Sequence, residues 1–341
     1  MNAGFAHSHY GSDQAGLICS FLFRPDTPGS EIDHAGAARW LAGEDGENGS
    51  FLWLHFNLSN TASLKWMQQH LVLPDSFYDA LHEGSRSTRI EHQDDELIAV
   101  VNDVAFNFTT ASTDISTMWG CTNQRLLVTA RLKPLRSVDK LRAAVRRKER
   151  FRSPLELLVH LLRDQADVLA LITRESNGTV DSVEDQLLMQ RLQTSRADLG
   201  SLRRELVRLQ RLLAPEPGAL FRLLNRPPLW LADEDVQDLQ QATEEFSLVL
   251  NDLSSLVERI KLLQEEIAAK LSEQTNRTLF TLTMVTVLAL PINIVAGFFG
   301  MNVGGVPLAQ HPHGFWVLVV LVATFTLIAG VWAFRKNRDM V

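Results

Sequence analysis

The feature that most constrains this chain is a long segment near its C-terminus that lacks fully charged side chains. No Asp, Glu, Lys or Arg occurs from Thr278 to Phe334, a run of 57 residues. Two apolar stretches of 21 residues each lie within it, Leu279–Phe299 and Gly314–Phe334. Because about 20 helical residues cross the hydrocarbon core of a bilayer, each stretch is long enough to span a membrane. The segment argues against a disordered chain, a secreted disulfide scaffold and a purely soluble enzyme.

The rest of the composition suits a large cytosolic part. The net charge is −7 over 341 residues, and this mild acidity gives no support to nucleic-acid binding. The first residues lack the basic region and apolar core of a signal peptide, so we expect none. Cys19 and Cys121 form no CxxC pair, which suits a reducing compartment.

Basic residues around the two apolar stretches predict their orientation. These residues flank the spans on one side only: Lys270, Arg277, Arg335, Lys336 and Arg338. The connection Gly300–His313 has neither Lys nor Arg. By the positive-inside rule, both termini lie in the cytoplasm and the short connection lies outside. Two spans cannot enclose a water-filled path, so transport would require an oligomer, whereas a membrane anchor would not.

Residues 1–150 alternate between strand-like and helix-like segments, which predicts a cytosolic α/β domain. The strand candidates are rich in β-branched and aromatic residues: Leu17–Phe23, Phe51–Phe56, Leu97–Phe108, Ile115–Cys121 and Leu126–Ala130. The helix candidates of this domain are Thr61–Leu71, Asp75–His82 and Ser137–Lys148. A helical region is predicted at 151–232, with helices at Ser153–Glu175, Val180–Leu213 and Pro217–Asn225.

A single long helix is predicted from Asp233 to Phe299. Nine of eleven sites spaced three and four apart are apolar: positions 236, 239, 243, 246, 250, 253, 257, 260, 264, 267 and 271. Such a heptad stripe is typical of a coiled coil. No Gly or Pro interrupts the chain between Asp233 and Leu290. We expect a stalk that continues into the first span at about 279–299, followed by a loop at 300–313, a second span at 314–334 and a basic tail at 335–341.

A short motif follows at the external end of the first span, Gly297-Phe298-Phe299-Gly300-Met301-Asn302. Here the chain resembles the CorA superfamily of divalent-cation transporters, whose hallmark is Gly-Met-Asn at this place. The resemblance also covers three upstream segments: 88–97, 127–135 and the helix start Ser153-Pro154-Leu155. After the motif, residues 303–307 contain no acid, which is similar to the ZntB zinc-transporter branch rather than the magnesium branch.

The resemblance implies a homopentameric funnel in a bacterial-type inner membrane, with one stalk helix per subunit around the pore. It implies Zn²⁺ uptake coupled to protons, with no cofactor and no enzymatic activity. The selectivity filter would be Gly300, Met301 and Asn302, with Asn302 forming the external ring. Hydrophobic constrictions are implied at three positions: Leu279, Leu282 and Leu290.

The first span also supports a pore on physical grounds. One face, with members three and four apart, carries most of its polar groups: Asn276, Leu279, Thr283, Thr286, Leu290, Asn293 and Gly297. Polar groups in a span belong where protein or water meets them. Amides, hydroxyls and backbone without fixed charge suit the passage of a hydrated cation. The alternative is helix–helix packing through small and polar residues, which is common in membranes.

His311 and His313 are candidate metal ligands in the external loop. Neutral imidazole is a ligand that Zn²⁺ favours. One pair is too few for a closed site, although a pentamer would multiply it. The alternative is that both are ordinary polar residues at the end of a loop.

Other functions stay open at the level of sequence. Within transport, the alternatives are a broad channel for Mg²⁺, Co²⁺ and Ni²⁺, or zinc efflux. From another class comes a membrane-anchored coiled-coil scaffold or sensor, which would carry no ion flux. An enzyme is not expected, because the sequence has no Gly-x-Ser-x-Gly, P-loop or Rossmann signature.

Overall fold

The computed structural model describes residues 11–44, 48–84, 87–105, 114–189, 195–301, 305, 307–308 and 311–338. The chain divides into two compact units, an N-terminal unit at 1–263 and a C-terminal unit at 264–341. The boundary falls inside one continuous helix of 67 residues.

A seven-stranded sheet is the framework of the N-terminal unit. Its strands are β1 (Leu17–Phe23), β2 (Ser30–Glu31), β3 (Phe51–Asn57), β4 (Arg89–Gln93), β5 (Glu96–Val104), β6 (Ile115–Thr122) and β7 (Leu126–Arg131). The strand order is β2-β1-β3-β7-β6-β5-β4, and β3 with β7 is the parallel pair in an otherwise antiparallel sheet. The five predicted strands are present, although residues 106–108 of one lie outside the described residues. The two edge strands, β2 and β4, are not predicted by the sequence pattern.

Most helices of the N-terminal unit lie close to their predicted positions, but the prediction of one helix at Val180–Leu213 is wrong, because one helix ends at Leu188 and the next begins at Ser195. They are α1 (His34–Leu41), α2 (Thr61–His70), α3 (Asp75–Glu83), α4 (Arg136–Arg146), α5 (Pro154–Leu188), α6 (Ser195–Leu213), α7 (Pro215–Leu224) and the first part of α8 (Asp233–Phe299). Asn60 caps α2 through a 3.0 Å hydrogen bond from the Ala62 N–H, and Ser153 caps α5 through one from Glu156. These side chains satisfy backbone N–H groups that a helix start leaves without partners. Helix α1 is not predicted by the sequence pattern.

The sheet separates two hydrophobic cores. On one face, α4, α5, α7 and the start of α8 cover Phe21, Trp53 and Leu127. On the other face, α1, α2 and α3 cover Leu54 and Val128. Successive strand residues point to opposite faces, so a strand buried on both sides is apolar along its whole length. This explains why the central strands were predicted from their composition, and it confirms the α/β class.

Helix α5 is continuous where the sequence pattern predicts two helices with a break at 176–179. The expected gap coincides with Asn177 and Gly178, which have low helix propensity. Arg259 on α8 donates hydrogen bonds to the side chains of Asn177, Asp181 and Glu184. The predicted break is wrong because these tertiary contacts favour one helix through to Leu188.

The heptad stripe of α8 is buried within the N-terminal unit. Its members Leu239, Phe246, Leu253 and Ile260 are all buried. Besides the α5 contacts of Arg259, Ser254 of α8 accepts a 2.8 Å hydrogen bond from Gln210 of α6. The heptad pattern therefore predicts these buried positions correctly. Their cover comes from helices of the same chain, whereas a coiled-coil stripe is ordinarily covered by another copy.

The C-terminal unit contains the rest of α8 and α9 (Gly314–Arg338). Helix α8 ends at Phe299, and α9 continues beyond Phe334, the predicted end of the second span. From Phe280 onward, most half-buried residues fall on one face of each helix: Phe280, Met284, Leu288, Pro291, Ile292 and Val295 on α8, and Leu318, Val322, Thr326, Ala329 and Gly330 on α9. Ala289 is half-buried but lies off this face. One half-buried face on each helix is the pattern expected of two helices packed side by side.

Candidate cation path

The face of α8 that is predicted to line a pore is exposed at every position. This pore face consists of Asn276, Leu279, Thr283, Thr286, Leu290, Asn293 and Gly297. Leu282, the remaining predicted constriction, is exposed as well. At 100° per residue, the pore face lies roughly 150° around the helix from the half-buried face. The C-terminal unit therefore leaves this polar face uncovered.

Threonine hydroxyls along this part of α8 bond back onto the helix. Thr286 donates from Oγ1 to the carbonyl oxygen of Leu282 at 2.9 Å, and Thr281 does the same to Arg277. A hydroxyl whose hydrogen is used in this way presents only oxygen lone pairs to its surroundings. Such oxygens can accept hydrogen bonds from the water shell of a cation without the fixed charge that would trap it.

A backbone oxygen without its helical donor lies near the middle of the span. Pro291 lies inside α8 and has no N–H, so the carbonyl of Val287 lacks its helical donor. Within a membrane, such a carbonyl has to be met by protein, water or an ion. The predicted site did not include this oxygen, although Pro291 is a sequence signal that could have found it.

Gly300 and Met301 are the residues of the Gly-Met-Asn motif that the structure describes. Gly300 donates its N–H to the carbonyl oxygen of Ala296 at 2.9 Å. A Cβ on Gly300 would lie 3.1 Å from that oxygen, so the tight last turn favours glycine through close approach. Met301 is exposed, and Asn302 lies outside the described residues. The filter role of these residues therefore stays a prediction.

His311 and His313 lie together just before α9. Their ring centroids are 6.1 Å apart, and the backbone N–H of His313 donates to Nδ1 of His311 at 3.2 Å. A neutral imidazole that accepts at Nδ1 carries its proton on Nε2, so His311 has no free lone pair for a metal until this bond breaks. The described residues contain no cluster of three or more His, Cys, Asp or Glu that could hold a metal. A ligand role for the pair stays a prediction.

The two C-terminal helices have apolar, exposed surfaces. Both helices are long and apolar enough to cross a membrane, and almost none of their apolar windows is buried. The exposed side chains include Val285, Ile294, Phe298, Trp316 and Leu321. Soluble monomers rarely expose contiguous apolar surface of this extent. These properties fit two membrane spans joined by a short loop.

Comparison with known proteins identifies the family. A family model described as "CorA-like Mg2+ transporter protein" matches residues 48–336. The chain belongs to this family. Zinc transport protein ZntB of Pectobacterium atrosepticum is 24% identical over 323 residues, which cover 91% of this chain and 98% of the relative. Divalent cation transporter CmaX of Pseudomonas aeruginosa is 28% identical over 295 residues, which cover 84% and 87%.

A solved structure supports the same assignment over the whole fold. The structure of full-length CmaX matches with a TM-score of 0.80 and 26% identity, covering 96% of this chain and 99% of that chain. The family resemblance predicted from the motif is confirmed. The chain is accordingly a metal-ion transporter and not an enzyme, which sets aside the scaffold interpretation. The names of these relatives specify different cations: zinc for ZntB, and divalent cations in general for CmaX.

Proposed function

We propose that this CorA-like transporter carries Zn²⁺ along the pore face of α8. The observation that supports the path is the position of the polar residues on an exposed face, away from the half-buried face. A two-helix hairpin cannot enclose water by itself, so the path needs several copies. By resemblance to the family we propose five copies, with α8 innermost.

The choice of zinc rests on two considerations. Relatives named as zinc transport proteins align with nearly the whole chain. The loop after the motif has no acid, and no fixed charge occurs between Thr278 and Phe334. The path would then offer amide and hydroxyl oxygens to a cation that keeps its water shell. His311 and His313 would provide a transient first contact for zinc outside the path.

The orientation and direction follow from charge. We propose an inner-membrane protein with both termini in the cytoplasm, on the basis of the basic residues that flank the spans. A membrane potential that is negative inside drives a cation inward by about 2.3 kcal/mol per charge per 100 mV, and twice that for a divalent ion. This favours uptake. Proton coupling is part of the proposal, but no ionisable side chain lies between Arg277 and His311 to carry it.

A broad divalent-cation channel is the second candidate function. It is favoured by the relative CmaX, which is named for divalent cations in general and is 28% identical. An uncharged path for hydrated ions also discriminates weakly between ions of equal charge. The two candidates differ in the measured ratio of zinc to magnesium flux.

The experiment is ion uptake into liposomes that contain the purified protein, for Zn²⁺ and Mg²⁺, with and without a pH gradient. We expect zinc flux to exceed magnesium flux and to rise when the outside is acidic. Equal fluxes would favour the broad channel, and an unchanged rate under the pH gradient would exclude proton coupling. Absence of any flux in a folded, inserted protein would contradict the path.

Two matched substitutions test the assigned face. Thr286→Val removes a hydroxyl from the pore face while keeping the shape of the side chain. Thr281→Val removes an equivalent back-bonded hydroxyl that lies off this face. We expect a loss of roughly tenfold in zinc flux for Thr286→Val, on the scale of one hydrogen bond, and little change for Thr281→Val. Equal effects of the two would contradict the assignment.

The proposed filter has its own test at Asn302. Asn302→Ala should abolish zinc flux or change its selectivity while the oligomer still assembles. If Asn302 only ends the helix as a left-handed residue, Asn302→Gly should keep near-normal uptake, because glycine adopts that conformation readily. Wild-type rates for the glycine variant would contradict the filter role without touching the family assignment.

A further inference from the structure

Two carboxylic acids in the N-terminal unit are buried close enough for their charges to interact, and both lie before the candidate path in the sequence. Asp103 is on β5 and is 2% exposed, and Glu216 is in the first turn of α7 and is 0% exposed. Buried acids are rare unless they are paired with a cation or fully hydrogen-bonded. The partners of each acid therefore decide where a proton sits.

Asp103 is well supplied with donors. Its Oδ1 accepts from the backbone N–H of Val104 at 2.7 Å, and its Oδ2 accepts from both the N–H and the hydroxyl of Ser137. Ser137 lies in the first turn of α4, so the carboxylate also meets the positive end of that helix. These donors favour the ionised form of Asp103.

Glu216 has far less support. Its Oε2 accepts one hydrogen bond, from Gln165 Nε2 at 3.1 Å, and its Oε1 has no hydrogen-bond partner among the described residues. Burial raises the pKa of Glu216 to about 8, and the charge of Asp103 adds to this effect. Burial also raises the pKa of Asp103, to about 6, against the hydrogen bonds from Ser137. At neutral pH, Glu216 is the acid that holds a proton.

The other charged groups nearby do not neutralise Glu216. Asp164 on α5 acts on Asp103 and raises its pKa further, while it pairs with Lys140 and hydrogen-bonds to His160. On the neighbouring elements, Arg89 of β4 pairs with Glu91, and Arg208 of α6 pairs with Asp114. The charge that acts on Glu216 is that of Asp103, so ionised Glu216 would be a second buried negative charge near the first.

The two acids belong to a hydrogen-bond network that joins several elements. Gln165 on α5 donates to Glu216 and also to the backbone carbonyl of Asn102 on β5. The Asn102 amide donates to the carbonyl of Leu212 at the end of α6, and its oxygen accepts from Thr117 on β6. The packing of α7 against the sheet thus depends on a network that contains a protonated acid.

We propose that Glu216 is a proton-binding site, and that release of its proton loosens the packing of α7 against the edge of the sheet at β4 and its hydrogen bond to Gln165 of α5. The ligand of this site is a proton taken from the solution that bathes the N-terminal unit. The inference stands apart from the proposed cation and path, because it concerns residues before α8. It gives this unit a response to pH near neutrality.

The sign of the effect follows from the raised pKa. Folded Glu216 keeps its proton up to about pH 8, whereas an exposed glutamic acid loses it above its ordinary value of 4.5. Opening of α7 between these limits releases one proton, so opening becomes about tenfold more favourable per pH unit. The stabilising contribution is complete at acidic pH, and it falls as the pH rises toward about 8.

The test measures hydrogen exchange of the α7 amides in the full-length protein, corrected for the intrinsic dependence of exchange on pH. In the unsubstituted protein, protection should fall about tenfold between about pH 6.5 and pH 7.5. Glu216→Gln carries no titrating group, so its protection should be nearly constant over this range. Glu175→Gln, which alters an exposed acid on α5, is the matched control and should behave like the unsubstituted protein.

A second measurement covers the case in which Glu216→Gln fails to fold. Infrared difference spectra should contain the carbonyl band of a protonated acid at neutral pH, and this band should vanish above about pH 8. In Asp103→Asn the band should vanish at lower pH, because the charge that helps to hold the proton on Glu216 is gone. Identical exchange profiles for Glu216→Gln and the unsubstituted protein, or absence of the band at neutral pH, would overturn the proposal.

Discussion

The two stretches of α8 both carry many apolar residues, but these residues meet different surroundings. In the N-terminal unit, Leu253 is 0% exposed, and its apolar neighbours on the stripe are covered by helices of the same chain. In the C-terminal unit, Val285 is 58% exposed, along with most of the apolar residues around it. The apolar side chains of the first stretch are thus covered by their own chain. Those of the second stretch are left uncovered by it.

An exposed apolar side chain has different neighbours along the helix in the two units. Leu248 and Leu262 are 65% and 57% exposed on the N-terminal stretch of α8, where polar residues surround them. Equal exposure at Val285 lies within a segment that lacks charge. We therefore expect the exposed apolar residues of the N-terminal unit to meet water, and those of the C-terminal unit to meet lipid or other subunits.

The largest expected effect on stability comes from placing a charge on the buried stripe in the N-terminal stretch of α8. Leu253→Asp buries an unpaired carboxylate and should cost about 4 kcal/mol or more of the free energy of unfolding. Leu248→Asp lies on the same helix but in water, and it should cost less than about 0.5 kcal/mol. Thermal unfolding of the purified proteins checks both. Equal stability of the two variants would contradict the burial of the stripe within one chain.

The next effect, on membrane insertion, compares two residues with almost the same exposed fraction, one expected to meet lipid and one expected to meet water. Val285→Arg should disfavour membrane insertion of the first span by about 2.5–3.5 kcal/mol if this residue lies near the bilayer centre. Leu262→Arg, with almost the same exposure, should insert normally. The measurement is the fraction of protein integrated into membranes after expression. Normal insertion of Val285→Arg would argue that the exposed apolar surface of the C-terminal unit is covered by protein.

A smaller effect concerns two glycines of the C-terminal unit. A Cβ on Gly314 would lie 2.5 Å from the backbone oxygen of Leu308, so Gly314→Ala should cost about 1–3 kcal/mol and distort the start of α9. A Cβ on Gly297 meets nothing within 4 Å of its own chain. Gly297→Ala should therefore fold normally but lower zinc flux, because the added methyl group would enter the proposed path. Normal flux for Gly297→Ala would remove this residue from the pore face.

The smallest effect concerns pH and belongs to the N-terminal unit, where most of the ionisable groups lie. A hydrogen bond to Asp164, 2.9 Å long, raises the pKa of His160. A raised histidine pKa stabilises the fold at pH values below the unfolded pKa, and this contribution disappears as the pH rises through the folded pKa. His160→Gln should thus lose about 0.5–1 kcal/mol at pH 6 and almost nothing at pH 9. Thermal unfolding at both values measures the difference, and an equal loss at the two would contradict it.

Much of the fold could be predicted because the signals are local. The strand Leu17–Phe23 is apolar except for Ser20, and the spacing on α8 identifies its buried positions without any structure. The edge strand Arg89–Gln93 was missed because only one of its residues, Ile90, is buried. The continuity of α5 was missed because distant Arg259 holds it through Asn177. Local pattern predicts which residues are buried, but not what covers them.

Some functional features also follow from local sequence, whereas others depend on the tertiary fold. The spacing of polar residues is enough to predict the pore face, because an α-helix has a fixed period. The Val287 carbonyl follows from a single proline. Glu216 could not be predicted, because its sequence surroundings contain Pro215, Pro217 and Gly218 and resemble a surface turn. Its burial depends on how α5, α7 and the sheet come together.

The most direct test concerns the face of α8 that lies away from its half-buried face, which we propose lines a water-filled path. Cys19 and Cys121 are both buried, so introduced cysteines can report access by a membrane-impermeant thiol reagent. Single cysteines at Thr283, Thr286 and Asn293 should react and block zinc flux. Those at Phe280, Met284 and Ile292 should stay unreactive with normal flux. Equal reactivity on the two faces, or reaction confined to the second set, would contradict the account.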